Sequence, residues 1–189
     1  MPSQRYEERK PFFDSVFANG VDQYVHPTGV EGVKLVVGVE QERIDPYRIS
    51  PYGRTAQSGR VSIFIADREE TAKAEVFQGQ PPPQYPPNSW LLRYKYQGDI
   101  LNIQKIESEE FRSGFLMSSG EYKHEFSQDV RYYLEEKGYT QRFDSIGWVS
   151  VQGDQMGQGG FVYNWVSGVN PQFDFLGMNR LDHPDEIQG

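Results

Sequence analysis

VSIFIADREETAKAEV, residues 61–76, changes its hydrophobic period half-way along. Val61 to Ala66 alternates closely enough for a strand. Asp67-Arg-Glu-Glu70 then carries the N-cap and third-position acid of a capping box, which predicts a helix from about Arg68 to Phe77. Thr71, Ala72 and Ala74 are small enough to let that helix pack closely beneath a sheet. Glu75, nearly one turn beyond Ala72, then points toward the edge of the core.

Working outward, Val33 to Val39 (VKLVVGV) reads as a buried strand, joined to the first by a loop bearing Pro46, Pro51, Gly53 and Gly59. Residues 1–32 show no clear period and read as an irregular or weakly helical arm, leaving 33–189 as a single domain. Downstream, GQPPPQYPPN (79–88) has too few donors and too many fixed φ angles for helix or central strand, so it reads as a stiff surface connection. Trp90–Tyr96 and Ile100–Ile106 predict a hairpin about Gln97-Gly98-Asp99. Helices are predicted near Ser108–Met117 and Ser127–Lys137, the second capped by Ser127 and stopped by Gly138. Ser145–Val151 and Gly160–Val166 predict strands around the Gly-rich loop QGDQMGQGG, and the tail after Asn170 reads as mostly loop. Strands without regular helical alternation make this an α+β chain rather than a doubly wound one.

Composition narrows the chemistry. Nineteen Lys and Arg against 27 Asp and Glu leave a net charge of −8, which disfavours nucleic acid as a partner. There is no Cys, hence no disulfide, thiolate nucleophile or Cys-based metal site. His26, His124 and His183 share no ligand spacing, so no metal is expected. The charged first twenty residues lack the apolar core of a secretory signal and no run approaches a membrane span, so a cytoplasmic protein with no membrane partner is expected.

Most paired acids, such as Glu109-Glu110 and Glu135-Glu136, read as solvated helix faces. Arg48, Arg54 and Arg60 share one Gly/Pro loop; they are either surface charges or guanidinium forks gathered around a diphosphate. Ser150 closes a predicted strand just before the Gly-rich turn and by itself indicates little.

Taken together, these segments resemble the RES domain family, named for an Arg, a Glu and a Ser, many members of which are toxins of toxin–antitoxin pairs acting on NAD. Tyr47 to Val76, YRISPYGRTAQSGRVSIFIADREETAKAEV, resembles its early Arg, Gly-Arg pair, apolar strand ending in Ala, and Glu-Thr-Ala leading to Ala-Glu-Val. Glu75 falls on the family Glu. WLLRYKYQGDILNIQ (90–104) resembles its next strand pair, and FDSIGWVS (143–150) the stretch that supplies the Ser, at Ser150. The likeness covers roughly residues 43–165. It departs at Thr55 and Ala56, where the family often has an aromatic and Asn, and at Phe64, where it has Tyr.

The resemblance implies an ADP-ribosyltransferase-like fold of two antiparallel or mixed sheets flanked by helices around an NAD cleft. It implies NAD as substrate, cleaved at the nicotinamide–ribose bond, with water, phosphate or a protein side chain as acceptor and an antitoxin as partner. Its catalytic residues would be Glu75, Ser150 and Arg48. Arg48 and Arg54 would hold the diphosphate, and Phe64 or Tyr52 would stack on a ring. A carboxylate suits this chemistry because positive charge develops on the sugar as the bond breaks. The absent Tyr and Asn leave room for a rival, a non-catalytic NAD- or protein-binding module on the same scaffold, and the aromatic and acidic content for a carbohydrate-processing or lectin-like domain.

Overall fold

Two long strands organise the chain in the computed structural model, whose described residues are 1–48, 54–55, 63–117, 119–165 and 173–183, without the side chains of 28–30 and 173. β1 (Val25–Val37) and β3 (Ser89–Asn102) pair antiparallel along their length, from Val25 opposite Leu101 to Val37 opposite Ser89. β2 (Ile63–Ala66) meets β1 where Val33 faces Ala66, and pairs antiparallel with β5 (Phe161–Trp165). β5 pairs antiparallel with β4 (Ser145–Val149), which returns parallel to the end of β3. Five strands therefore form a hydrogen-bonded circuit, and β6 (Phe173–Arg180) lies against the first half of β3. A parallel neighbour needs a crossover. The segment between β3 and β4 supplies it, with α3 (Glu109–Leu116) and α4 (Glu125–Glu136).

The α+β class stands, but the described strands join into one mixed six-stranded sheet rather than two, because β1 and β3 are long enough to bind partners on both edges. The predicted hairpin is instead one continuous strand, β3. Gly98 is there for close approach, not for a turn: its φ is not positive, and a Cβ on it would lie 2.6 Å from Asp144 Oδ2. Asp144 receives the Asp99 N–H at 3.0 Å and returns its own N–H to the Asp99 carbonyl at 2.8 Å. The tail read as loop contains β6, whose backbone groups pair with the exposed edge of β3.

Nor are residues 1–32 an arm apart from the domain. α1 (Tyr6–Val16) lays Tyr6, Phe13 and Phe17 into the core shared by α3, α4 and β4, and β1 runs through the expected boundary. Phe13 meets Phe111 edge-on at 6.1 Å, and Phe17 stacks on Tyr133 at 5.8 Å. Burying rings of this size is worth about 1.5–3 kcal/mol each. Pro11 inside the helix hides it from propensity reasoning, since proline normally breaks a helix there. A second apolar cluster, including Ile63, Leu92, Tyr94, Tyr96 and Trp165, packs within the strands, and a small third one of Leu35, Ala66 and Ala72 lies under α2 (Glu69–Val76). Among the described residues no helix is long and apolar enough to cross a membrane.

Candidate functional site

α2 begins one residue later than predicted and without the capping box: Arg68 is its extended N-cap residue, and no side chain caps the helix. Asp67 instead accepts the Thr71 hydroxyl at 2.6 Å, and Glu69 and Glu70 sit where the helix dipole favours acids. Thr71, Ala72 and Ala74 are buried, so the helix backbone lies close to its neighbours and Glu75 emerges half-buried from the last turn. The Pro-rich connection is strapped to the helix, with the Tyr85 hydroxyl donating to Glu69 Oε1 at 2.6 Å and Lys73 lying 4.7 Å from the centre of its ring.

Ser150 meets Glu75 from the other side. It is fully buried and caps α5 (Val151–Gln155), its hydroxyl oxygen accepting the Gly153 N–H at 2.9 Å. The same hydroxyl donates to Glu75 Oε1 at 2.5 Å. The Gly-rich segment, read from sequence as a hairpin loop, thus begins as a short helix whose N-cap aims at the acid. A side chain at Gly153 would collide with the Gly159 carbonyl, so only glycine lets the chain return over α5.

Glu75 lines a cleft of about 430 Å³, together with Arg54, Phe64, Trp148, Lys123 and His124 among others. That volume lies within the range of about 300–1,000 Å³ usual for small-molecule sites. Arg54 is nearly buried and donates through Nη1 to the Phe115 carbonyl at 2.6 Å and the Met117 carbonyl at 2.8 Å, at the end of α3. Burial lowers its pKa to about 10, while the charge of Glu75 opposes the shift. α4 fixes this stretch from below. Ser127, expected as its cap, lies within the helix, which starts after His124, and donates to the Arg54 carbonyl. Arg131 Nη1 donates to the Thr55 carbonyl at 2.5 Å, and Asn164 to the Thr55 hydroxyl at 2.6 Å. Phe64 meets Trp148 edge-on at 6.1 Å in the cleft wall.

Of the expected site residues, then, Glu75, Arg54 and Phe64 share one cleft and Ser150 backs Glu75. Arg48 is exposed and is not among the lining residues; its charge is felt by Lys34, which is. Tyr52, with Ala56 and Arg60, lies outside the described residues.

Sequence reasoning missed Lys34, Lys123 and His124. Lys34 had a legible signal, being the one charged residue in VKLVVGV. Burial and then Arg48 lower its pKa from the usual lysine value, with Asp45 pulling the other way. His124 falls to about 4, chiefly through burial and then through Arg54 and Lys123, so its imidazole is neutral at pH 7. The arrangement offers one carboxylate with a fixed orientation, Oε2 having no donor among the described residues, in a wall otherwise bearing cations. Such a group can steady positive charge developing on a bound ligand.

Comparison with solved structures shows where this fold recurs. The chain is similar to one from the crystal structure of the M. tuberculosis MbcT-MbcA toxin-antitoxin complex, with a TM-score of 0.57 over 94% of this chain and 92% of that chain, at 8% sequence identity. No protein-family model matches the sequence, and no curated protein matches it either.

Proposed function

We propose that the protein is an enzyme that breaks the nicotinamide–ribose bond of NAD, and that it acts as the toxin of a toxin–antitoxin pair. The observation that carries this reading is the Ser150–Glu75 hydrogen bond beside a cleft that Arg54 also lines. Glu75 and Arg54, both singled out by the resemblance to the RES family, line one cavity of ligand size, and Ser150 holds Glu75 from behind. The shared fold with a chain of a toxin–antitoxin complex supports the second half of the proposal.

In this mechanism Glu75 faces the scissile sugar carbon of NAD bound in an ADP-ribosyltransferase-like cleft. As the glycosidic bond lengthens, the ribose gains oxocarbenium character and the carboxylate stabilises it. Ser150 is a positioning residue: fully buried behind Glu75, it fixes the carboxylate through Oε1 and leaves Oε2 to the substrate. Arg54 supplies positive charge for the diphosphate, and Phe64 and Trp148 supply apolar surface for a ring. The acceptor is water, phosphate or a protein side chain.

Purified protein incubated with NAD should release nicotinamide, and expression in bacteria should arrest growth in a way that Glu75→Ala relieves. Calorimetric NAD binding without nicotinamide release would instead identify a non-catalytic binding module.

A further inference from the structure

We infer that Lys123 and His124, with Arg54, form the anion-binding corner that holds the diphosphate of the dinucleotide, the task expected of Arg48. The inference rests on the NAD reading above and deepens it.

Charge is the first argument. The whole chain carries −8, yet among the described residues the charged side chains lining the cleft are Lys34, Arg54, Lys123 and one acid, Glu75. Against the field of the molecule, the cavity has been given a positive wall, as an anionic ligand requires.

The neighbouring acids are the second. His124 is followed at once by Glu125, and Asp129 lies one turn further along α4; either could neutralise the corner. Both are drawn away toward the N-terminal segment. Arg9 pairs with Glu125 at 2.9 Å and with Asp129 at 2.6 Å, and Ser3 gives Asp129 its backbone N–H at 2.7 Å and its hydroxyl at 2.5 Å. Lys123 and Arg54 are left as the charges that bear on His124.

His124 itself is the third. Its backbone is anchored, the carbonyl accepting the Gln128 N–H at 3.0 Å, but its Nδ1 is closed off from solvent with no hydrogen-bond partner among the described residues. That nitrogen is turned away from the open cleft, and the ring meets the cavity through the rest of its edge. Being neutral, the imidazole lines the corner without bringing a third full charge to repel Arg54 and Lys123.

Spacing is the fourth. A single ribose separates the scissile carbon of NAD from its first phosphate, so the anion site must lie near the carboxylate. Arg54 is near enough to Glu75 for the two charges to interact, and near enough to His124 to depress its basicity. Exposed Arg48 instead acts on Lys34.

A diphosphate and free inorganic phosphate offer the same oxygen anions, and ligands of different composition separate them. Titration calorimetry on the full-length Glu75→Gln protein, which keeps the ligand intact, would use ADP-ribose, adenosine and inorganic phosphate as probes. Lys123→Ala and His124→Asn in that background should each weaken ADP-ribose about tenfold, the loss expected for one charge-assisted contact. Adenosine should bind as before, and in the otherwise wild-type enzyme KM for NAD should rise with kcat little changed. Lys123 is exposed, so its truncation leaves the fold intact and keeps the test sound should His124→Asn misfold. ADP-ribose binding unaltered by Lys123→Ala, or variants that weaken inorganic phosphate but not ADP-ribose, would overturn the assignment while sparing the NAD reading. No binding of ADP-ribose before the corner is altered would overturn both.

Discussion

The seam between α1 and α4 and the cleft beside α2 use the same kinds of side chain in opposite ways. In the seam, Asp129 is fully buried and both of its oxygens are taken, Oδ1 by the Ser3 N–H and Oδ2 by the Ser3 hydroxyl and Arg9. Tyr6 donates to Glu136 at 2.6 Å and Tyr133 to Asp14 at 2.7 Å, so an acid answers each of these two phenols. In the cleft, among the described residues, Glu75 has a donor at Oε1 and none at Oε2. Polar groups satisfied within the chain hold a fold together; a carboxylate oxygen left open beside a cavity is available to a ligand. The difference separates a region whose polar groups are satisfied within the chain from one with acceptor capacity to spare.

That division can be broken by showing that the two regions do not fail independently. The largest effect on stability is expected from Phe13→Ala in the seam, about 3–5 kcal/mol in urea unfolding, because it empties a ring-sized space among Phe111, Phe126 and Tyr133. Nicotinamide release per folded molecule should stay as it was. Asp129→Ala should lose about 2–3 kcal/mol by stranding the Ser3 and Arg9 donors, again with turnover intact. Seam variants that remained folded but lost turnover would contradict the division.

Ser150→Ala crosses from one region to the other. It removes the cap of α5 and should lower stability by about 1 kcal/mol. Because the same hydroxyl orients Glu75, kcat should fall by about ten- to a hundredfold. A fall in stability with unchanged kcat would reduce Ser150 to a helix cap.

The smallest effect is pH-dependent. His124 is held to about 4 against an ordinary value of 6.5, so between those limits the unfolded chain binds a proton that the folded chain refuses. The stability this confers is complete above pH 6.5 and is lost as pH falls toward 4. The melting temperature of the wild-type protein should therefore fall relative to that of His124→Asn on acidification through that window, and a constant difference would show that His124 is not kept neutral by the fold.

Much of the site was legible from sequence because its key residues sit on local patterns. Glu75 follows a strand-to-helix change of period, Ser150 stands at a strand end before glycines, and Arg54 sits in a Gly/Pro loop. Lys123 and His124 carry no such mark: only the folding of α4 against the stretch at Arg54 brings them to the cleft. The fold was legible where hydrophobic period was strong, as in β2 and α3, whose Ser108 cap accepts the Phe111 N–H at 3.2 Å. It was lost where a residue's familiar role misleads. Gly98 suggests a turn but serves a close approach, Pro11 suggests a break but lies inside a helix, and β6 is a strand by virtue of the β3 edge beside it.

The most direct test of the account is nicotinamide release from NAD by Glu75→Gln, a substitution that keeps the size of the side chain and removes its charge. The rate should drop about a hundredfold or more while ADP-ribose still binds and the melting temperature holds. A Glu75→Gln protein that releases nicotinamide as fast as the wild type would contradict the central claim.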